Sequence, residues 1–338
     1  MAVRALLKPW APVCRDNTRR NSGQAAGYCV ELVRKRDYEG FLCTLLLPQE
    51  SQNSVFALRA LNVELSQVKD SVSQKSLGLM RMQFWRDAVQ DIYKETPPHH
   101  PVALALSQAV QRHRLTKRWF MRMIDAREQN LDDRTYRNIQ ELETYAENTQ
   151  SSLLYLILET LGIKDVQADH AASHIGKAQG IITCMRAVPY HSSRRQVFLP
   201  IDICMLHRAS QEDFIRGSLE KNVKDVIFDI ASQAHVHLEH ARSFKKRIPK
   251  SAFPAFNITV RFSIIPSHIG LSWCQIFFIV PYVVICHCQG ALESRFVIIN
   301  FFVNRLNRYN GILEGAKTWT GNGHNEGNTR NRKCIERS

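Results

Sequence analysis

From Tyr28 to about Phe256, apolar residues recur every three to four positions, the period of a helix with one buried face. Leu77, Met80, Phe84, Ala88 and Ile92 form one such stripe, which stops before Pro97 and Pro98. Ile175, Ala178, Ile182 and Met185 form another, followed by Pro189. Val223, Val226, Ile227, Ile230, Ala234, Leu238 and Ala241 form a third. Between Tyr145 and Leu161 the run LLYLILETL is apolar on nearly every side, which predicts a helix enclosed by others. No internal repeat and no series of alternating strands interrupts the pattern. The prediction is an all-α protein, a multi-helix bundle.

Both ends read differently. The first 26 residues carry Arg4, Lys8, Arg15, Arg19 and Arg20 against Asp16 and lack a continuous apolar stretch. That composition fits a mitochondrial presequence better than a secretory signal, the competing reading being a disordered basic tail. Beyond Phe256, residues 262–292 contain no Asp, Glu, Lys or Arg. LSWCQIFFIVPYVVICHC is long enough to span a bilayer, although Pro281 would kink it, so a membrane helix and a packed or poorly folded terminus both stay open. TWTGNGHNEGNTRNRKCIERS reads as a polar, disordered tail. The expected division is 1–26 presequence, 27–256 helical domain and 257–338 irregular tail.

Composition narrows the class of function. The 338 residues include 45 Lys and Arg against 31 Asp and Glu, a net charge of +14, with 44% hydrophobic residues. These are ordinary globular proportions and exclude a wholly disordered or collagen-like chain. Nine cysteines without framework spacing suit a reducing compartment. Much of the basic excess sits at the two ends and no recognition motif accompanies it, so nucleic acid is not an expected partner.

The stretch Gly176–Asp202, GKAQGIITCMRAVPYHSSRRQVFLPID, is the most specific in the chain. Gly176, Ala178 and Gly180 leave room for a neighbouring helix or an elongated ligand. Arg186, the pair Arg194 and Arg195, and the closing Phe198-Leu199-Pro200 follow in register. This run resembles the second signature of the squalene/phytoene synthase family. Three further segments agree: Glu141–Gly162 with its leading Tyr145, Ser54–Val68 with Arg59, and Arg81–Val89. The resemblance covers roughly residues 28–256 and implies a bundle of the isoprenoid-synthase type.

In that family two acid-bearing helices face each other across a cavity and hold Mg²⁺ against the diphosphate of a prenyl substrate. By this resemblance the acids belong near 62, 63 and 66 and near 187, 190 and 191. The chain has Asn62, Val63 and Ser66, then Ala187, Tyr190 and His191. Glu64 lies two residues off, about 200° around the helix. The resemblance therefore implies no catalytic residue, no metal site and no cofactor. It leaves a vestigial pocket of Arg59, Asn62, Glu64, Tyr145, Thr183, Arg186, Ala187, Tyr190 and His191. Arg59, Arg186, Arg194 and Arg195 are available to an anionic head group. In the plainer reading, Arg59, Tyr145 and Arg186 merely cap helices or pair with acids.

The same resemblance, nearest to a mitochondrial branch, implies a non-catalytic, chaperone-like assembly factor for respiratory complex I at the matrix face of the inner membrane. Expected partners are complex I subunits or other assembly factors, a lipid or isoprenoid ligand, and the membrane by peripheral contact. The alternatives are a residual prenyl transferase and a plain lipid-binding module. Other clusters promise less: His170 and His174, and His235, His237 and His240, read as solvated helix faces rather than zinc ligands. Cys184 has no basic neighbour to activate it. After Ala252–Phe256 the resemblance stops, as expected of an alternative carboxyl end from a different splice form, which would uncover apolar surface.

Overall fold

The computed structural model describes residues 15–262, apart from 73 and 133. Those residues form helices and connecting turns, with no strand among them. In chain order the helices are α1 (Arg15–Arg36), α2 (Tyr38–Leu45), α3 (Gln49–Ser71), α4 (Lys75–Tyr93), α5 (Pro101–His113) and α6 (Lys117–Gln129). After α7 (Ile139–Ala146) a π-helical turn, Glu147–Ser151, leads into α8 (Ser152–Thr160). Then come α9 (Val166–Arg186), α10 (Val188–Ser192), α11 (Ile201–Leu206), α12 (Gln211–Ile215) and α13 (Lys221–Ser243), followed by 3₁₀ backbone over Lys250–Phe262. Asp37, Asn138, Asp165 and Ser210 start α2, α7, α9 and α12 by accepting a backbone N–H on their side chains.

Two hydrophobic cores share the long helix α9. One gathers residues of α1, α3, α4, α5, α6, α8 and the first half of α9. The other gathers α7, the second half of α9 and α10 to α13. α3 runs through the first core against α1, α5 and α8, with Val55 to Leu61 buried without a break. Its central position explains why this segment shows no clean amphipathic stripe.

The predicted stripes on α9 and α13 are buried as read. On α4 the prediction holds for Ala88 and Ile92 and fails for the other three residues. The buried face is Met82, Trp85, Ala88, Val89 and Ile92, whereas Leu77, Met80 and Phe84 face outward, Met80 at 69% exposure. Both faces of α4 carry apolar residues at helical spacing, and the face with the Trp, the larger surface to bury, packs against α5 and α6. The single helix expected from Tyr145 to Leu161 is divided by the π turn, where Glu147 accepts hydrogen bonds from Tyr155 and Ser173.

The boundary expected after residue 26 falls inside α1, and Ala25 packs into the first core beside Cys29 and Val33. The bundle therefore starts before residue 27. The presequence reading for residues 1–14, and the spanning and tail readings for residues 263–338, lie outside the described residues. Among the described residues no helix is long and apolar enough to cross a membrane.

Candidate functional site

A cavity of about 550 Å³ opens where α3, α6, the α7–π segment and the end of α9 converge. Arg59, Asn62 and Ser66 follow each other at helical spacing on one face of α3 and line it. Thr183, Arg186 and Ala187 line it from α9, Tyr190 and His191 from α10, and Tyr145 from α7. Eight of the nine pocket residues expected from the sequence thus meet at one place. Glu64 does not. It sits on another face of α3, where the Tyr28 hydroxyl donates to it at 3.5 Å. Arg194 and Arg195 also stay outside the lining: Arg194 stacks on the Tyr190 ring and pairs with Asp70, and Arg195 pairs with Glu212.

The wall is predominantly basic. Arg36, Arg59, Lys69, Arg127 and Arg186 face only Asp37, Glu39 and Asp70. Each of the three acids already answers an arginine. Arg59 Nη1 donates to Asp37 Oδ2 at 3.0 Å, Arg186 Nη2 lies 3.5 Å from Glu39 Oε1, and Arg194 Nη1 lies 3.6 Å from Asp70 Oδ1. The Asp37–Arg59 pair exists because position 40 is glycine: a Cβ there would lie 2.1 Å from Asp37 Oδ2 and 2.4 Å from Arg59 Nη1.

Arg127 was not foreseen. It is 9% exposed, its Nη2 donates to Asn62 Oδ1 at 2.7 Å, and its buried Nε has no hydrogen-bond partner. Arg59 is 3% exposed and its Nε is likewise without a partner. The acids next to Arg127 on α6 are turned away, since Asp125 and Glu128 both pair with Arg86. A signal for Arg127 existed: it falls on the apolar stripe of Phe120, Met123 and Ile124, where a charge is out of place.

Aromatic side chains close the remaining wall. Tyr145 packs against Tyr136 with ring centroids 5.9 Å apart, and Lys69 Nζ lies 4.1 Å over the Phe198 ring. Burial, then the neighbouring Tyr145, pushes the Tyr136 hydroxyl well above its ordinary pKa. Burial also lowers His191 against the pull of Asp70, so its imidazole is neutral at pH 7. Burial raises Cys184 to about 12, which leaves it an inert thiol.

The positions matched to metal-binding acids carry an amide, a hydroxyl, a phenol, an imidazole and aliphatic groups. This donor set does not fit Mg²⁺, which needs carboxylates or phosphates to displace its water. Among the described residues, no three His, Cys, Asp or Glu side chains come together in a group able to hold a metal ion. The histidines depart from expectation in one respect. His170, His235 and His240 are exposed, but His174 and His237 are half-buried between α9 and α13, with their Nδ1 atoms 3.0 Å apart.

A helical bundle with a cavity between α3 and the end of α9 is the architecture of isoprenoid synthases. Solved structures place it there. A dehydrosqualene synthase in complex with ligand matches with a TM-score of 0.66 at 15% identity, over 86% of this chain and 100% of that one. Squalene synthase HpnC from Alicyclobacillus acidocaldarius matches with a TM-score of 0.63 at 16% identity, over 74% and 92%. At that identity the likeness concerns the fold alone.

The squalene/phytoene synthase family model matches residues 33–263, and the chain belongs to that family. Within it, the chain is 72% identical over 233 residues to the human protein named NADH dehydrogenase (ubiquinone) complex I, assembly factor 6, covering 69% of this chain and 70% of the relative. A Drosophila melanogaster homolog of that factor is 42% identical, with 68% and 70% covered. Phytoene synthase 2 of Oryza sativa is 24% identical, with 65% and 59% covered.

Proposed function

We propose that this protein is a non-catalytic assembly factor for mitochondrial respiratory complex I, built on a retired squalene/phytoene synthase scaffold. The observation that carries this reading is the combination of high identity to complex I assembly factors with a cavity that has no acid at the positions matched to metal ligands. Ionising a prenyl diphosphate requires several divalent cations to take up the charge of the leaving group. Asn62, Ser66, Ala187 and His191 supply no carboxylate for them, and Glu64 faces elsewhere.

The protein acts by holding a hydrophobic subunit or a lipid while complex I is assembled, at the matrix face of the inner membrane. A basic amino-terminal presequence delivers it there, and contact with the membrane is peripheral. Its partners are complex I subunits or other assembly factors. Cross-linking in isolated mitochondria, followed by mass spectrometry, tests this directly. Cross-links to complex I subunits or assembly intermediates are expected. Cross-links confined to unrelated proteins would overturn the reading.

The second reading, a residual prenyl transferase, has one observation in its favour, the preserved cavity with Arg59, Tyr145 and Arg186 still lining it. Product formation from a prenyl diphosphate separates the two.

A further inference from the structure

The carboxyl end of α13 and the 3₁₀ backbone after it carry a concentration of charge far from the cavity. From His240 to Phe262 the chain contains no Asp or Glu. Arg242, Lys245, Lys246, Arg247 and Lys250 crowd into that stretch, and all five are exposed. The last acid before them, Glu239, already accepts from Arg242. Among the described residues, Lys245, Lys246, Arg247 and Lys250 pair with no carboxylate.

Beside these bases lies an apolar groove of about 140 Å³. Ala171 and Ile175 of α9, Leu238 and Ala241 of α13, and Phe253 and Phe256 form it, and the exposed Arg242 and Lys245 line it too. Phe253 is 36% exposed, unusual for so large an apolar side chain. Base and aromatic also meet on α13's last turn, where the Arg247 guanidinium lies 4.9 Å from the centre of the Phe244 ring. An apolar cavity of about 150 Å³ accepts benzene, so this groove has room for a short stretch of hydrocarbon. It has none for a helix, which is about 10–12 Å across.

We propose that this face, the carboxyl end of α13 with the groove beside it, docks the protein on a bilayer of anionic lipid. Lys245, Lys246, Arg247 and Lys250 meet the lipid phosphates, and Phe253 and the groove take up hydrocarbon at the head-group boundary. Charge complementarity selects this occupant. The bases call for an anion and the groove for hydrocarbon, and an anionic lipid brings both on one molecule. An acidic helix would answer the bases and leave the groove empty. Long Lys and Arg stems lie along apolar surface while their heads stay in the polar layer, so both demands are met at one depth. A second basic turn, with Arg112, Arg114, Lys117 and Arg118, lacks the apolar half, since its Leu115 is buried. This inference rests on the reading that contact with the membrane is peripheral, to which it adds the face and the class of lipid.

The test is co-flotation of the full chain with vesicles of phosphatidylcholine, alone and mixed with phosphatidylglycerol. Binding to the mixed vesicles that weakens as salt is raised is expected, with little on the neutral ones. Lys245→Gln, Lys246→Gln, Arg247→Gln and Lys250→Gln together should lower it about tenfold or more. Phe253→Gln should lower it as well. Thermal melting shows that each variant still folds. The control carries Arg112→Gln, Arg114→Gln, Lys117→Gln and Arg118→Gln, which removes the same charge from the other turn and should cost much less binding. Equal binding to both kinds of vesicle, binding that survives either set of changes on this face, or an equal loss in the control would overturn the proposal. Binding of polyglutamate without binding of vesicles would overturn it too, by giving the face to an acidic protein. A full chain that binds mixed vesicles undiminished by these changes would reject this face and leave peripheral contact standing. A full chain that binds neither vesicle would reject both, while cross-links to complex I subunits would still support the assembly-factor reading.

Discussion

At the scale of single residues, the site depends on what surrounds two arginines. Arg59 is tied to Asp37, and Asp37 also accepts the Gly40 N–H at 3.0 Å to start α2. One carboxylate thus serves a helix cap and a buried cation. Asp37→Ala removes both functions and leaves Arg59 unpaired, which should cost about 3 kcal/mol of stability. Gly40→Ala drives a methyl group into the same pair and should cost about 1–3 kcal/mol. Denaturant midpoints of the two variants check this. A Gly40→Ala protein as stable as the parent would show that the pair yields freely. Arg59 and Asn62 were legible in the sequence because they fall within a family signature. Arg127 was not, because it reaches the cavity from a helix that no signature covers. A charged residue at a core-facing position of α6 was the available sign.

At the scale of elements, α9 organises the molecule, and its glycines set its position. A Cβ on Gly176 would lie 2.4–2.5 Å from Ser151 backbone atoms, and one on Gly180 would lie 2.9 Å from the Ala146 backbone. Both glycines let the α7–π segment come close, and Gly180 also lines the cavity. Gly176→Ala meets backbone, which moves less readily than the side-chain ends around Gly40. It should therefore cost more than Gly40→Ala, on the order of 3 kcal/mol by the same denaturant measurement. Equal or smaller loss would mean that the π turn is soft.

The α9–α13 contact carries a pH dependence as well. His174 faces His237 and His240 on α13, Lys177 on its own helix and Glu147 of the π turn, and Glu143 of α7 lies 3.2 Å from His237 Nε2. Burial, then the neighbouring histidines, lowers His174 to about 4. An unfolded chain takes up this proton near pH 6.5, whereas the folded chain refuses it until about pH 4. Stability is therefore full above pH 6.5 and falls as pH drops from there toward 4, by on the order of 2 kcal/mol. His100, His113 and His191 are also lowered by burial and add to the same slope. Urea midpoints at about pH 7.5 and about pH 5 should show the loss, and His174→Gln should reduce it. An unchanged slope in that variant would place the effect elsewhere. The sequence could not show this pair, because helical spacing gives the buried face of α13 but not the helix that packs on it. On α4 even the face was ambiguous, because two apolar faces competed.

At the scale of the whole molecule, periodicity alone conveyed the class, an all-helical bundle, because helices of about twenty residues with one buried face leave little other choice. The arrangement of two cores that share α9 and the end of α13 was not legible, since it depends on contacts between segments far apart in sequence. The core residues described above run from Ala25 to Phe256. A chain ending after Phe262 should therefore retain a cooperative thermal transition followed by far-ultraviolet circular dichroism. A gradual, non-cooperative loss of helix would show that residues beyond 262 complete a core. The cavity keeps a basic wall in which Asp37, Glu39 and Asp70 are the acids, and on the proposed reading the lack of an acid at the positions matched to metal ligands separates the protein from the synthases whose fold it shares.

That separation is tested most directly by turnover. Purified full-length protein is incubated with Mg²⁺ and geranylgeranyl diphosphate, and released pyrophosphate is measured against a protein-free control. The account predicts no release above the control. Release above the control that requires Mg²⁺ would contradict it.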